Sequence, residues 1–403
     1  MSKSIEAAIN PDLLVWARES VGISPQQLAK KLKVEVSTLN DWETGRARPS
    51  VVQLRKASEA CKRPLAVFYL PARPKGGFQP LKDYRRIHGA EEFHDTVALN
   101  FEIRQAEHRR QIALELLEEL DESVPKFEHR AKLADDRENL GLRVRQLLGI
   151  DLAQQLKWRD NNEALNRWRA AIEKLGVFVF QATTIAPDEM RGFSTSQFPL
   201  PVIVLNRKDA ETARIFTLIH ELTHIMLHQG GICDIHEDYK RSADEQRVEV
   251  FCNHIAGAAL VSRQDLKAQY DELKNNGACR TLDEFLPALA TRFKVSKEVV
   301  LRRFLTFRWI QEALYERKRK EFLKEYAELR EQAKKSKKPV IISPPRNVIS
   351  TAGFPFVQLV LNGYHQEKIT SSDLTDFLAM KADHLPKLQA EVESKAVRFW
   401  SAP

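Results

Sequence analysis

His220-Glu221-Leu222-Thr223-His224 carries the pattern H-E-x-x-H. On a helix, histidines four residues apart lie one turn apart on one face, so their imidazoles can hold a single zinc ion. Glu221, beside the first of them, is spaced to act on a water at the metal rather than on the metal itself. Zinc lowers the pKa of such a water to about 7, and a neighbouring carboxylate can take its proton and pass it to a leaving amine. That is the chemistry of a metallopeptidase. With 11 histidines in 403 residues, chance supplies only about 0.02 such motifs in the whole chain.

The flanking residues identify the element that carries the motif. Ala213, Ile215, Phe216, Leu218, Ile219, Leu222, Ile225, Met226 and Leu227 make a largely apolar helix, with no lysine or arginine between Arg214 and His228. Such a helix is buried, and buried imidazoles and carboxylates are costly unless a partner such as a metal satisfies them. A catalytic zinc site also needs a third protein ligand and an open fourth position. The next helical run, from Arg247 to Val261, sets Glu249 and Asn253 four apart on one face. Glu249 is the expected ligand, and Asn253 a group that orients a histidine from behind. Glu245, Asp244 and Asp234 stand as rivals to Glu249. Ala256, Gly257, Ala258 and Ala259 predict close packing of this run on the H-E-x-x-H helix. His228 lies about 12 Å along the axis from His220, too far to share its ion, and reads as a helix-end histidine beside Gly230-Gly231. Nothing selects among His236, Tyr239 and His254 as donors to an oxyanion. Gly176 to Gln181 and Val202 to Leu205 read as strands. Gly192-Phe-Ser-Thr195 is expected to be a sheet edge to which a substrate peptide adds by main-chain hydrogen bonds.

A second module opens the chain. Asn10 starts a helix, and Ser24 with Pro25 is an N-cap followed by proline at the first helical position. A short turn at Lys33-Val34-Glu35 leads into a third helix from Val36, closed by Gly45. Arg48-Pro49-Ser50 leads into a fourth. Helix, tight turn, helix is the layout that sets the third helix into the DNA major groove. Leu28, Ala29, Leu32, Val34, Leu39 and Trp42 would form its core. Ser37, Thr38, Asn40 and Asp41 fall where side chains meet bases, and Lys30, Lys31, Lys33, Arg46 and Arg48 suit phosphates. Residues 1–75 hold 13 Lys+Arg against 7 Asp+Glu, a net +6 out of +8 for the chain, so the positive charge is concentrated here.

These stretches resemble known families. Leu39-Asn-Asp-Trp-Glu-Thr-Gly45 with Pro49 is similar to the XRE/Cro-type helix-turn-helix. Arg63 to Pro71, Asp83-Tyr-Arg85, Met190 to Ser194, Pro201 to Asn206, the H-E-x-x-H helix and Glu249-x-x-Cys-Asn253 resemble the ImmA/IrrE zinc metallopeptidases, in the version fused to such a domain. The resemblance implies a cytoplasmic zinc endopeptidase that cuts a transcriptional repressor or antitoxin, often of the XRE class, under stress. It places the zinc ligands on His220, His224 and Glu249, and the catalytic carboxylate on Glu221. Two departures are visible. Cys252-Asn253 followed by His254 stands where Ala-Asn is usual, and Val261-Ser262 where many members have Met-Pro.

The remaining residues set bounds. No run of eighteen apolar residues offers a membrane span, and the first residues lack the apolar core of a signal peptide. Cys61, Cys233, Cys252 and Cys279 form no CxxC pair, which suits a reducing cytoplasm. The fold class is expected to be mainly α within α+β: a four- or five-helix DNA-binding domain over 1–75, a helical connecting region over 76–165, and a zincin-like domain with a small sheet over 166–310. A helical linker and C-terminal region of unread role fills 311–403. Phe285 to Ser296 and Lys297 to Phe304 have the shape of a second helix-turn-helix, for which a helical bundle is the safer reading. Gln311 to Lys338 reads as a solvated helix, and Thr370-Ser-Ser-Asp373 as the N-cap of a last one. DNA, a protein substrate and a second copy of the chain are the expected partners. The competing function is a DNA-binding regulator whose metal site is structural or sensory. Glu221 argues against it, since a structural site has no use for a general base.

Overall fold

A computed structural model describes residues 6–74, 82–83, 97–187, 189–228, 231–233, 243–335 and 342–401. Asp234, His236 and Tyr239 lie outside the described residues. The chain forms two compact units, residues 1–80 with 89–108, and residues 81–88 with 109–403.

The first unit is built on helices α1 (Pro11–Glu19), α2 (Pro25–Leu32), α3 (Val36–Glu43) and α4 (Val51–Cys61). Local chemistry sets their limits. Asn10, Ser24 and Ser50 each cap a helix by accepting a backbone N–H, and Ser24 with Gln27 and Ser50 with Gln53 close full capping boxes. Lys33 ends α2 in the left-handed region at φ 58°, which makes the turn before α3 tight. Gly45 takes φ 75° just past α3, a conformation open to glycine without strain. Leu14, Leu28, Leu32, Leu39, Trp42, Leu54 and Phe68 are the buried core. Arg18 clamps α1 to the end of α3 through two bonds to Glu43, of 2.7 and 3.1 Å.

A strand β1 (Lys82–Asp83) belongs to the second unit, and helix α5 (Val97–Glu119) begins in the first and ends in the second. There follow α6 (Arg137–Leu147), α7 (Leu152–Lys157), α8 (Asn161–Glu173), β2 (Phe178–Ala182), β3 (Gly192–Thr195), β4 (Val202–Asn206), α9 (Glu211–Met226), β5 (Gly231–Cys233) and α10 (Ala243–Leu260). Then come α11 (Arg263–Asn275), α12 (Leu282–Phe293), α13 (Lys297–Thr306), α14 (Glu312–Lys335), α15 (Pro344–Ala352), α16 (Phe354–His365), α17 (Ser371–Phe377) and α18 (Leu385–Ser401). The sheet order is β1-β5-β3-β4-β2. Strand β2 runs parallel to β4, and β3 is antiparallel to both β4 and β5. The expectation that β3 is an edge is therefore corrected. Gly192, Phe193 and Ser194 are paired on both sides, so their backbone groups are already used and cannot take up a peptide.

One core joins the elements around α9. It takes Leu140 and Val144 from α6, Leu165 and Trp168 from α8, Ile215, Leu218 and Leu222 from α9, and Phe251 and Ile255 from α10. Of the expected connecting region 76–165, the part from Phe127 onward thus contributes to the core of the H-E-x-x-H helix. Helix α10 packs on α9 as expected, with Ala256 and Ala259 in the shared core, and its other small residues serve further partners. A Cβ at Gly141 of α6 would lie 2.4 Å from that of Ala258, and one at Gly257 would lie 3.2 Å from Cδ of Arg303 on α13. They let α10 approach α6 and α13.

Helices α12 and α13 repeat the local grammar of α2 and α3. Lys294 takes φ 56° between them, and Ser296 caps the second helix. The face that would read bases is turned inward instead. Leu301 is fully buried, and Arg303, 2% exposed, donates to both oxygens of Glu138 at 2.8 and 2.6 Å. His254 sits 2.6 Å from the same carboxylate. Burial works to raise the Glu138 carboxyl, but His254 and Arg303 overcome it and hold it down at about 2, from an ordinary 4.5. Glu138→Gln is expected to cost roughly 2–4 kcal/mol at neutral pH, mostly by leaving Arg303 buried without its anion. The half-exposed carboxylate adds little of its own. Its folded value is depressed, so the contribution is present above pH 4.5 and lost as pH falls toward 2. Urea unfolding at pH 7 and pH 3 measures both.

Candidate metal centre and its surroundings

Helix α9 is apolar on nearly every side. Ile215, Leu218, Ile219, Leu222 and Ile225 are each fully buried, and so are His220, Glu221 and His224. Glu249 reaches the histidines from α10 and is 1% exposed. The donor atoms converge: His220 Nε2 and His224 Nε2 are 3.1 Å apart, and Glu249 lies 3.5 Å from the first and 3.2 Å from the second. Ligands of a tetrahedral zinc with bonds near 2.1 Å stand about 3.4 Å from one another. The three side chains have that spacing and the two-imidazole, one-carboxylate composition zinc takes, in a site closed to solvent. They fit a single metal ion. Among the described residues no other group of three or more His, Cys, Asp or Glu side chains is drawn together in this way.

Burial pushes the Glu249 carboxyl up, but the two histidines outweigh it and hold it below the usual carboxylate range. It is an anion ready to bind a cation. Glu221 moves the other way. Burial raises its carboxyl above the ordinary value, and His224, His220 and the Ser194 hydroxyl pull back only in part. Two carboxylates of one cluster are thereby set apart, one held as an anion and one pushed toward its protonated form.

Two contacts of the site are not legible in the sequence, where Ser194 is expected only as part of a substrate-binding edge. Ser194 donates its hydroxyl to Glu221 Oε2 at 2.7 Å. The contact depends on Gly192, two residues earlier on the same strand face: a Cβ there would fall 2.5 Å from Thr217 Cγ2 on α9. Cys252 is fully buried and bonded to His224, and its thiol is raised by burial. No periodicity marks either residue.

The other expected residues fall as follows. Asn253 hydrogen-bonds neither histidine. Its Oδ1 is buried without a partner among the described residues, and its side chain lines a cavity of about 230 Å³ with Phe216, His254 and Arg302. The expectation that it orients a histidine is corrected on that ground. The Phe216 ring lies 6.4 Å from that of His220, so the cavity adjoins the cluster. His228 stacks on Phe198 at 4.5 Å and is no ligand. Asp244 is in an ion pair with Arg247, and neither it nor Glu245 joins the cluster.

In the first unit, Ser37, Asn40, Arg46 and Arg48 are exposed, and Thr38 and Asp41 are half-buried. Asp41 holds Arg46 at 3.4 Å across a solvated surface.

Residues 172–305 match the family model of the IrrE N-terminal-like domain, a peptidase domain, and residues 14–68 match the helix-turn-helix model. No curated protein matches the chain. Among the described residues no helix is long and apolar enough to cross a membrane. The chain is a fusion of these two domains.

Proposed function

We propose that this fusion of a helix-turn-helix domain and an IrrE N-terminal-like domain is a DNA-binding, zinc-dependent endopeptidase whose substrate is a repressor or antitoxin-type protein. The observation that carries the reading is Glu221. It is buried beside the His220, His224 and Glu249 cluster, outside the ligand set, with its carboxyl raised by burial. A structural metal site would gain nothing from such a group.

In this reading His220, His224 and Glu249 hold the metal. Zinc, when bound, supplies a Lewis acid for the scissile carbonyl and makes water nucleophilic near neutral pH. Glu221 takes up the proton and delivers it to the amine that leaves. The Ser194 hydroxyl fixes the carboxylate that does this. The cavity beside Phe216 and Asn253 receives a substrate side chain. At the other end of the chain, Ser37, Thr38, Asn40 and Asp41 face bases and Arg46 and Arg48 face phosphates.

Two results test this part. Ser194→Ala is expected to keep the metal and slow cleavage about tenfold, the equivalent of one hydrogen bond to a charged group, with the pH profile of kcat shifted. Unchanged kcat and profile would remove Ser194 from the mechanism. Arg46→Ala with Arg48→Ala is expected to weaken DNA binding at all sequences and to lower the salt slope by about two. An unchanged slope would move the phosphate contacts elsewhere. The protease reading itself is tested by incubating the zinc-loaded chain with XRE-type repressors and sequencing new N-termini. The competing regulator with a structural metal predicts none.

A further inference from the structure

A cleft of about 1420 Å³ opens in the second unit, and none of His220, Glu221, His224 or Glu249 lines it. One wall is helix α8 with the start of α9, and the other is α15 with α18. Nine lysine and arginine side chains line it against four glutamates. All four carboxylates are already in ion pairs: Glu163 with Arg167 at 3.4 Å, Glu173 with Arg169 at 2.9 Å, Glu211 with Arg214 at 3.3 Å and Glu391 with Arg346 at 2.6 Å. Arg159 is likewise taken, by Asp160 at 3.0 Å. Positive side chains still outnumber carboxylates around this concave space, and such a space concentrates anions.

The floor of the cleft is built rather than merely solvated. Arg169 is 6% exposed and Arg214 8%. Arg169 is fixed by the Val179 and Ser350 carbonyls. Arg214 donates to Gln181 Oε1 at 2.7 Å, but its Nε is buried with no hydrogen-bond partner among the described residues. Burial lowers the Arg207 and Arg214 guanidiniums, and Arg169 lowers both further by repulsion. Burial also raises the Glu173 carboxyl to about 7, which weakens the anion paired with Arg169 at neutral pH, while Glu211 and Asp209 remain the anions beside Arg214.

We propose that this cleft binds a phosphorylated small molecule of nucleotide size or larger. Guanidinium groups in fixed positions with an unfilled N–H are the chemistry that holds phosphate oxygens. The volume exceeds that of ordinary small-molecule sites, which suits several phosphates or a nucleoside with its phosphates rather than a lone phosphate. A strand of nucleic acid fits less well. The deepest cations are more than nine-tenths buried, beyond the reach of a continuous backbone, and the two aromatic residues lining the cleft, Trp158 and Phe354, are 8% and 6% exposed, so no stacking platform is offered. The proposal does not depend on the peptidase reading, since the metal cluster lies outside the cleft.

Isothermal titration of the full chain with ATP, with pyrophosphate and with a single-stranded twelve-nucleotide DNA tests it. One ATP per chain is expected to bind, pyrophosphate more weakly, and Arg207→Glu with Lys395→Glu is expected to weaken ATP at least tenfold with far-UV circular dichroism unchanged. Lys395→Glu alone, an exposed position, is expected to weaken ATP about threefold and serves if the double variant fails to fold. Arg214→Gln, which removes the unfilled donor without reversing charge, is expected to fall between them. Absence of heat with both ATP and pyrophosphate would overturn the proposal. So would ATP binding that all three variants leave unchanged, which would move it to another basic surface. Oligonucleotide binding that the double variant abolishes, with ATP inert, would make the cleft a nucleic-acid groove and would overturn the proposal as well.

Discussion

Glu221→Gln is expected to hold about one zinc per chain and to cut substrate about 10³-fold more slowly than the parent, the range a single general base supplies. The substitution keeps shape and keeps a hydrogen-bond acceptor for the Ser194 hydroxyl, which now sits 2.7 Å from the carboxylate. It removes only the ability to take a proton. A proteome-derived peptide library with labelling of new N-termini reads the loss whatever the natural substrate is. Equal cleavage by parent and variant would show that the proton acceptor is another group. Because the variant retains the metal cluster, it is also expected to hold substrate uncut and so to serve as a trap.

Glu249→Ala is expected to bring zinc from about one per chain to below about 0.1 after dialysis, since two imidazoles alone make a weak site for this ion. His220→Ala and His224→Ala are expected to do the same. The carboxylate is 1% exposed and lies within 3.5 Å of both histidines, so its removal takes away one ligand and the negative charge that draws the ion in. DNA binding is expected to survive, because the helix-turn-helix domain has its own core. Far-UV circular dichroism separates loss of metal from loss of fold. Full zinc retention in Glu249→Ala with loss in His224→Ala would move the third ligand to another carboxylate.

Legibility of the chain follows the range of the interactions. Helix limits set within four residues were readable, as at Ser24 with Gln27 and Ser50 with Gln53, because a cap is a local hydrogen bond. The two histidines share a face by helical arithmetic, and Glu249 and Asn253 repeat it on α10. What that arithmetic left open is where each face points. Glu249 turns to the histidines, whereas Asn253, one turn on, opens into the neighbouring cavity. The contact of Ser194 with Glu221 spans 27 residues and depends on how β3 lies on α9, which a bare side chain at Gly192 permits. Pairing order was equally hidden. Strand β3 is expected as an edge open to a substrate peptide, yet β5, 36 residues further along, covers that side. The cationic cleft gathers residues from Leu148 to Lys395, each unremarkable in its own stretch of sequence. The second helix-turn-helix shape was visible, and its burial against Glu138 was not, because that partner lies 165 residues away.

The most direct test of the metal centre is X-ray absorption at the zinc edge on the full chain purified with zinc. One zinc per chain is expected, in a four-coordinate shell of nitrogen and oxygen at about 2.0–2.1 Å, with imidazole scattering from two histidines. A sulfur shell at about 2.3 Å would bring in Cys252, which already touches His224, and would make the site a closed structural one. That result, or the absence of zinc, would contradict the account.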